Sequence, residues 1–393
     1  MEPLRDDDPR TIGAYTLAAR LGAGGMGQVY LGESPAGHLV AVKVIKPSVL
    51  DEDSRARFLL EVDSLKTVYG PFIASFVAAD AHAERPWLAV EFVNGPDLLA
   101  QVTGHGPLPL VETASLGALL AEGLGTVHEA GLLHRDLKPQ NILLAPTGPK
   151  VIDFGLAVLA ERRSTLTATG VVVGSVLCMP PEQTQGEHRL DQAADVYALG
   201  AVLLYAATGH YPYTGTSWQA IARRIEDPAV LPDLTGLPRQ LRPPISAMLA
   251  LDRADRPTLL QVTELLVHVM TGRGVTPVQA KHRLTALAPE AAPPVPPPSP
   301  EPPRPSEDRA GYTPTMTDVA VREDDETPWQ DDVPPTREDG RPHEDGDADG
   351  DEDAPGKPQA SEPARPSRPG PRLAAPLRIA EQLRVAYASD ARF

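Results

Sequence analysis

Along the first 270 residues apolar side chains recur at strand-like and helix-like spacings, and then that rhythm stops. The remainder of the chain is crowded with proline, aspartate and glutamate, most densely from Pro293 onward. At 393 residues the chain is longer than one hydrophobic core usually serves, so it needs a second domain or an extension. Composition decides for the extension, because a stretch with so few apolar residues cannot offset the entropy lost on ordering. The expected organisation is a folded domain over residues 15–270 and a proline-rich, acidic, disordered tail over 271–393. Within that tail Ile379, Ala380, Leu383, Ala386 and Tyr387 would share one face of a short helix over 377–388, able to dock on a partner or on the folded domain.

A formal net charge of −17 argues against a nucleic-acid partner, since neutralising a polyanion needs clustered Lys and Arg, and no cluster is visible. The one cysteine, Cys178, excludes an internal disulfide framework and fits a reducing compartment. A thiol in an apolar run also reads as packing rather than as a redox switch. The first ten residues, MEPLRDDDPR, lack the apolar stretch of a secretion signal, and the longest apolar run, starting at Val196, is too short to span a bilayer. A cytoplasmic protein without a membrane span is expected.

Residues 15–93 read as a small β-rich lobe, in which runs such as 40–45 and 87–93 surround one helical stretch. In that helix Phe58, Glu61, Val62 and Leu65 share a face, so the Glu61 carboxylate lies within an apolar stripe and calls for a cation. Residues 97–270 read as a larger helical lobe with helices over 110–130, 193–208 and 259–270. Segments 132–134, 141–144 and 150–152 read as short strands around a turn at Thr147-Gly148. The expected fold class is α+β and bilobal.

Several features carry chemistry. Gly22, Gly24 and Gly27 form G-x-G-x-x-G, and the next residues, Gln28-Val29-Tyr30-Leu31, read as a strand rather than the helix of a dinucleotide-binding fold. The pattern is therefore a hairpin that can close over phosphates, or an ordinary turn. Lys43 stands inside Ala41-Val42-Lys43-Val44-Ile45, where an unpaired ammonium is costly. It either meets negative groups or snorkels to solvent from an edge strand. Further on come His134-Arg135-Asp136-Leu137-Lys138-Pro139-Gln140-Asn141 and then Asp153-Phe154-Gly155, with one strand pair between them.

Taken in this order, these residues resemble the bacterial eukaryotic-like (Hanks-type) serine/threonine protein kinases, over residues 15 to about 270. The resemblance implies a bilobal kinase fold, with a small lobe over 15–93 and a helical lobe over 97–270. It implies ATP and Mg²⁺ (or Mn²⁺) as cofactors, with Lys43 and Glu61 paired and Lys43 on the α- and β-phosphates. Asp136 then accepts or orients the proton of the attacking hydroxyl, Lys138 stabilises the γ-phosphate, and Asn141 and Asp153 hold the metal. Leu21, Gly22, Gly24, Gly27, Val29, Ala41 and Leu143 enclose the nucleotide, the backbone of Glu91 and Val93 meets the adenine at the hinge, and Val90 is the gatekeeper. Pro181-Glu182, Arg256 and Asp195 match scaffold positions, while Leu65, His134 and Phe154 match a packing spine without chemistry.

Lys138 and Gly174-Ser175 resemble the serine/threonine type, so the implied substrates are Ser/Thr hydroxyls of proteins. Ser175 stands where the family usually has threonine and keeps the hydroxyl, and Pro180 replaces the usual alanine or serine. Arg135 places a cation beside the catalytic aspartate, which a phosphate on the activation segment would balance. Thr167 and Thr169 match the family's autophosphorylation sites, with Ser164 and Thr165 close by. Thr313, Thr315, Thr317 and Thr327 sit near acidic residues, either as phosphorylated docking sites for a phosphothreonine-binding partner or as incidental residues of a solubilising spacer. The resemblance also allows a back-to-back dimer through the small lobe. A pseudokinase scaffold is disfavoured by the intact Lys43, Glu61, Asp136, Asn141 and Asp153, and a small-molecule phosphotransferase by the Pro181-Glu182 pair together with the threonine-bearing segment.

Overall fold

The computed structural model describes residues 1–24, 27–46, 52–153, 176–187 and 189–287, with backbone alone at 52–54, 56, 57, 60 and 61. Expectations on Phe154-Gly155, the threonines at 165–169, Gly174-Ser175, the tail threonines and the helix over 377–388 lie outside these residues.

The small lobe is one antiparallel sheet. Its strands are β1 (Glu2–Pro3), β2 (Thr11–Ile12), β3 (Tyr15–Ala23), β4 (Gly27–Glu33), β5 (Leu39–Ile45), β6 (Phe76–Asp80) and β7 (Trp87–Glu91), in the order β1-β3-β4-β5-β7-β6, with β2 also on β3. Side chains alternate across it. The outer face buries Tyr15, Leu17, Tyr30, Val40, Val42, Trp87 and Ala89. The inner face sets Ile45 and Leu88 against α1 (Glu52–Leu65), whose Phe58, Val62 and Leu65 are buried as the helical spacing predicted. Val127 of the large lobe joins the same cluster, so α1 is packed from both lobes.

The sheet extends beyond the expected domain start at residue 15, because preceding residues pair with β3. Glu2 and Pro3 pair with Arg20 and Ala19, and Thr11 and Ile12 pair with Thr16 and Tyr15. Asp8 pins the intervening loop. Its buried carboxylate accepts the Arg20 guanidinium through two hydrogen bonds of 2.6 Å, the Tyr30 hydroxyl at 2.7 Å and the Arg5 backbone N–H at 2.7 Å.

The large lobe is built on α3 (Leu110–Glu129) and α5 (Gln192–Thr208). Around them lie α2 (Leu98–His105), the short α4 (Pro181–Thr184), α6 (Trp218–Glu226), α7 (Arg242–Met248), α8 (Leu259–Thr271) and α9 (Pro277–Thr285), with the ribbon β8 (Ile142–Ala145) and β9 (Gly148–Val151). Local sequence marks the ends: Asp97 caps α2, Asp191 caps α5, and Gly209 ends α5 with a left-handed φ of 79°. By length and composition α3 could cross a membrane, but most of it is buried in this core, which is why it is apolar.

Two expectations in this lobe are corrected. Residues 132–134 form no strand; the N–H of His134 goes instead to the carboxylate of Asp195. The folded chain also does not stop at 270. Thr276 and Gln279 form a capping box, and α9 comes next, burying Ala280 and Leu284. Lys281 sits 5.3 Å from the centre of the Phe72 ring.

Candidate active site

The β3–β4 hairpin is closed by the Gly24 N–H on the Gly27 carbonyl at 2.9 Å. A Cβ on Gly27 would lie 2.0 Å from the Val44 carbonyl oxygen, so only glycine lets the returning strand approach β5 this closely. Among the described residues, no atom lies within 4 Å of where a Cβ on Gly22 or Gly24 would be. Lys46 Nζ reaches the Gly24 carbonyl at 3.3 Å, and the Gln28 side-chain amide donates to the Gly22 carbonyl.

Alternation puts Lys43 on the inner face of β5 with Ala41 and Ile45. Its ammonium meets Asp153 Oδ2 at 2.8 Å, so the sequence-predicted phosphate ligand and metal ligand are in contact. The pairing expected between Lys43 and Glu61 concerns a side chain outside the described residues; the backbone places Glu61 within α1.

Val29 lies opposite Lys43, and Ala41 opposite Val90. Val90 and Leu143 pack on the cluster of Ala74, Val93 and Ala145. Leu21, Val29, Ala41 and Leu143 are all only half-buried, leaving apolar surface that a planar ring would cover. Glu91 ends β7, and its carboxylate accepts Lys150 Nζ at 2.8 Å and the Ser75 N–H at 3.2 Å, tying the hinge to β9. At Gly95 a Cβ would stand 2.1 Å from the Leu144 carbonyl oxygen, so the chain after the hinge lies directly on β8.

The loop over 134–141 is held from several sides. Asp136 Oδ2 accepts Lys138 Nζ at 2.6 Å, and Asn141 Nδ2 donates to the Asp136 carbonyl at 2.8 Å. The Ile152 N–H donates to the Asn141 carbonyl at 2.9 Å, fixing Asn141 beside the strand that leads to Asp153. Asp136 N–H donates to His134 Nδ1 at 3.3 Å, which places the ring proton on Nε2, 3.1 Å from the Ile152 carbonyl. His134 was expected only to pack; it is a hydrogen-bonding joint between the two motifs.

Beneath the loop Asp195 spreads its carboxylate over three donors. Oδ1 accepts Arg135 N–H at 2.9 Å, and Oδ2 accepts His134 N–H at 2.8 Å and His128 Nε2 at 2.7 Å. Burial alone would push this carboxyl up, yet the His128 hydrogen bond, helped by His134 and its backbone N–H, holds it below the usual range. Both Arg135 and Asp153 take positive φ, 63° and 59°. Such values in non-glycine residues persist only where the surroundings over-determine them. Glu182 and Arg256 form a buried pair of 2.7 and 2.9 Å, as scaffold residues should. Cys178 is buried against this region, and burial pushes its thiol up, consistent with packing. Sequence reasoning missed His128, Lys150 and Gln183, whose amide donates to the Arg135 carbonyl at 3.0 Å; none has a local signal, because each acts only through a distant partner.

The residues fit a nucleotide and a divalent cation: a glycine hairpin, an ammonium, half-buried apolar walls, and the hard oxygens of Asp153 and Asn141.

Comparison with known proteins agrees. Residues 15–269 match the protein kinase domain family. The chain is 42% identical over 293 residues to a probable serine/threonine-protein kinase, PkwA, of Thermomonospora curvata, covering 74% of this chain and 39% of that protein. It is 40% identical over 279 residues to the serine/threonine-protein kinase AfsK of Streptomyces coelicolor, covering 70% of this chain and 34% of that protein. The chain thus spans well under half the length of either relative. The crystal structure of Rad53 residues 1–466 with AMP-PNP shares the fold, with a TM-score of 0.52, 24% identity, and coverage of 65% of this chain and 66% of that one. With its glycine hairpin, its Lys43–Asp153 contact and its braced 134–141 loop, the chain belongs to the protein kinase domain family.

Proposed function

We propose that this protein is an ATP-dependent serine/threonine protein kinase. The observation that carries the reading is convergence: Lys43 and Asp153 in contact at one wall, with Asp136, Lys138 and Asn141 hydrogen-bonded to one another beside them. Lys43 positions the α- and β-phosphates, the hairpin covers them, and Leu21, Val29, Ala41 and Leu143 sandwich the adenine. Asn141 and Asp153 would hold Mg²⁺, which would supply positive charge against the phosphates. Asp136 orients the attacking hydroxyl and accepts its proton, and Lys138, 2.6 Å from it, balances charge on the transferred group. The substrates are Ser/Thr hydroxyls of proteins, as in the relatives' names.

The regulatory reading is autophosphorylation at Thr167 and Thr169, with the tail threonines recruiting a phosphothreonine-binding partner and the protein acting in the cytoplasm. The test is incorporation of labelled phosphate from ATP with Mg²⁺ into the protein and a Ser/Thr peptide, with sites mapped by mass spectrometry. Wild type should incorporate label, and Asp136→Asn should lose about 10²-fold or more, the scale of a positioned general base. Nucleotide binding without transfer in wild type would refute the reading.

A further inference from the structure

We infer that Gln183 is a positioning residue that sets the orientation of Asp136 and makes it depend on the seating of segment 176–184. The inference rests on the kinase reading, because Asp136 is the group being oriented.

The carbonyl of Arg135 and the N–H of Asp136 belong to one peptide unit, and rotating that unit swings the Asp136 side chain. It is gripped at both ends. The N–H end reaches His134 Nδ1 at 3.3 Å, a long contact, whereas the carbonyl end accepts Gln183 Nε2 at 3.0 Å. The preceding residue needs that grip. Arg135 has a φ of 63°, which a long side chain avoids, and its own N–H is already committed to Asp195 at 2.9 Å. Asp195 therefore fixes where Arg135 enters the left-handed region, and Gln183 fixes how the chain leaves it toward Asp136.

Gln183 comes from a different part of the molecule than Asp195. It sits in α4, next to Glu182, which is clamped by Arg256 at 2.7 and 2.9 Å, and it comes after the Cys178 to Pro180 stretch that borders Asp136. Asp195 sits in α5 and is itself buried. One tie to the loop comes from α5, and the other requires segment 176–184 to be seated against the loop. Withdrawal of that segment would release the Arg135 carbonyl and leave Asp136 misoriented while the nucleotide wall at Lys43 stays intact.

The test combines hydrogen exchange with kinetics on the full chain, using Gln183→Leu, which removes the donor, and Gln183→Lys, which restores one. Exchange across residues 132–138 should quicken roughly five- to tenfold in the Leu variant, the factor for one lost hydrogen bond, with exchange in α5 unchanged. Turnover of a Ser/Thr peptide should fall by a similar factor at unchanged KM for ATP, and Gln183→Lys should recover most of both. Unchanged exchange over 132–138 in the Leu variant, or a loss carried by KM for ATP, overturns the inference. Should wild type prove unable to transfer phosphate, the kinase reading fails, while the exchange result still decides whether Gln183 holds the loop.

Discussion

Asp8 in the small lobe and Asp195 in the large one are both buried carboxylates, and they are held by different kinds of donor. Asp8 faces a guanidinium, a phenol and one backbone N–H, all close to it in sequence or in the same sheet. Asp195 has no Lys or Arg side chain among its described hydrogen-bond donors; it takes two backbone N–H groups of the 134–141 loop and the His128 ring. The Arg20 guanidinium holds the Asp8 carboxyl well below the usual carboxylate range, whereas Asp195 stays low against its burial through hydrogen bonds and the neighbouring histidines. A charge paired with a charge fastens two pieces of chain together. A charge shared among amides dictates the path of a backbone, which is what a strained loop requires.

This contrast is most vulnerable at Asp195. Asp195→Asn turns an amide N–H₂ toward a backbone N–H, and peptide phosphorylation should fall about 10²-fold, as expected when a reacting group is misplaced by around an ångström. Activity within twofold of wild type would show that the loop holds its path without the carboxylate. His128→Leu should cost less, about tenfold, since both backbone donors remain and one buried acceptor site is left unmet. The Asp195 carboxyl should then rise, so the acid limb of the kcat/KM profile should move to higher pH; an unmoved limb would remove His128 from the network.

Asp8→Asn should separate stability from chemistry. The thermal midpoint should drop by several degrees while kcat stays within about twofold. Because the folded-state pKa of Asp8 is depressed, its contribution is present above the ordinary carboxylate pKa of about 3.9 and is lost as pH falls, so the gap between wild type and Asp8→Asn should narrow below about pH 4. A gap constant from pH 7 to pH 3 would contradict this. The smallest effect belongs to Tyr30→Phe. Burial first, then the hydrogen bond to Asp8, push the Tyr30 phenol up to about 12. Its contribution is therefore full below the ordinary phenol pKa of about 10 and fades as pH rises toward about 12, and the Phe variant should lack that alkaline loss in a pH series of melting curves.

Much of the site was legible because its residues break local rules. Lys43 is a cation in an apolar strand, an anomaly that calls for negative groups, and Asp153 is in contact with it; Glu182 and Arg256 were legible only through the resemblance, and they form a buried pair. The hairpin was legible because β-prone residues come directly after the glycines. What stayed hidden depends on tertiary company. In MEPLRDDDPR nothing local distinguishes Asp8, which is buried, from Asp6 and Asp7, which are exposed; only Arg20 and Tyr30 choose. Residues 132–134 have strand-like composition, but the His134 amide is claimed by Asp195 rather than by a neighbouring strand. The start of α9 did carry a signal, Thr276-Pro277-Val278-Gln279, which the glycines before it and the proline-rich stretch beyond the helix obscured.

That last helix alters what counts as a unit of this protein. The family match ends at residue 269, yet Ala280 and Leu284 are packed into the same core as α3, and Lys281 lies over Phe72, whose carbonyl accepts the Val151 N–H of β9. A domain excised at the homology boundary would bare a greasy strip along α3 and remove the brace behind the strand that delivers Asp153. Such a fragment should be stickier as well as less stable, so the smallest well-behaved piece extends to at least residue 287.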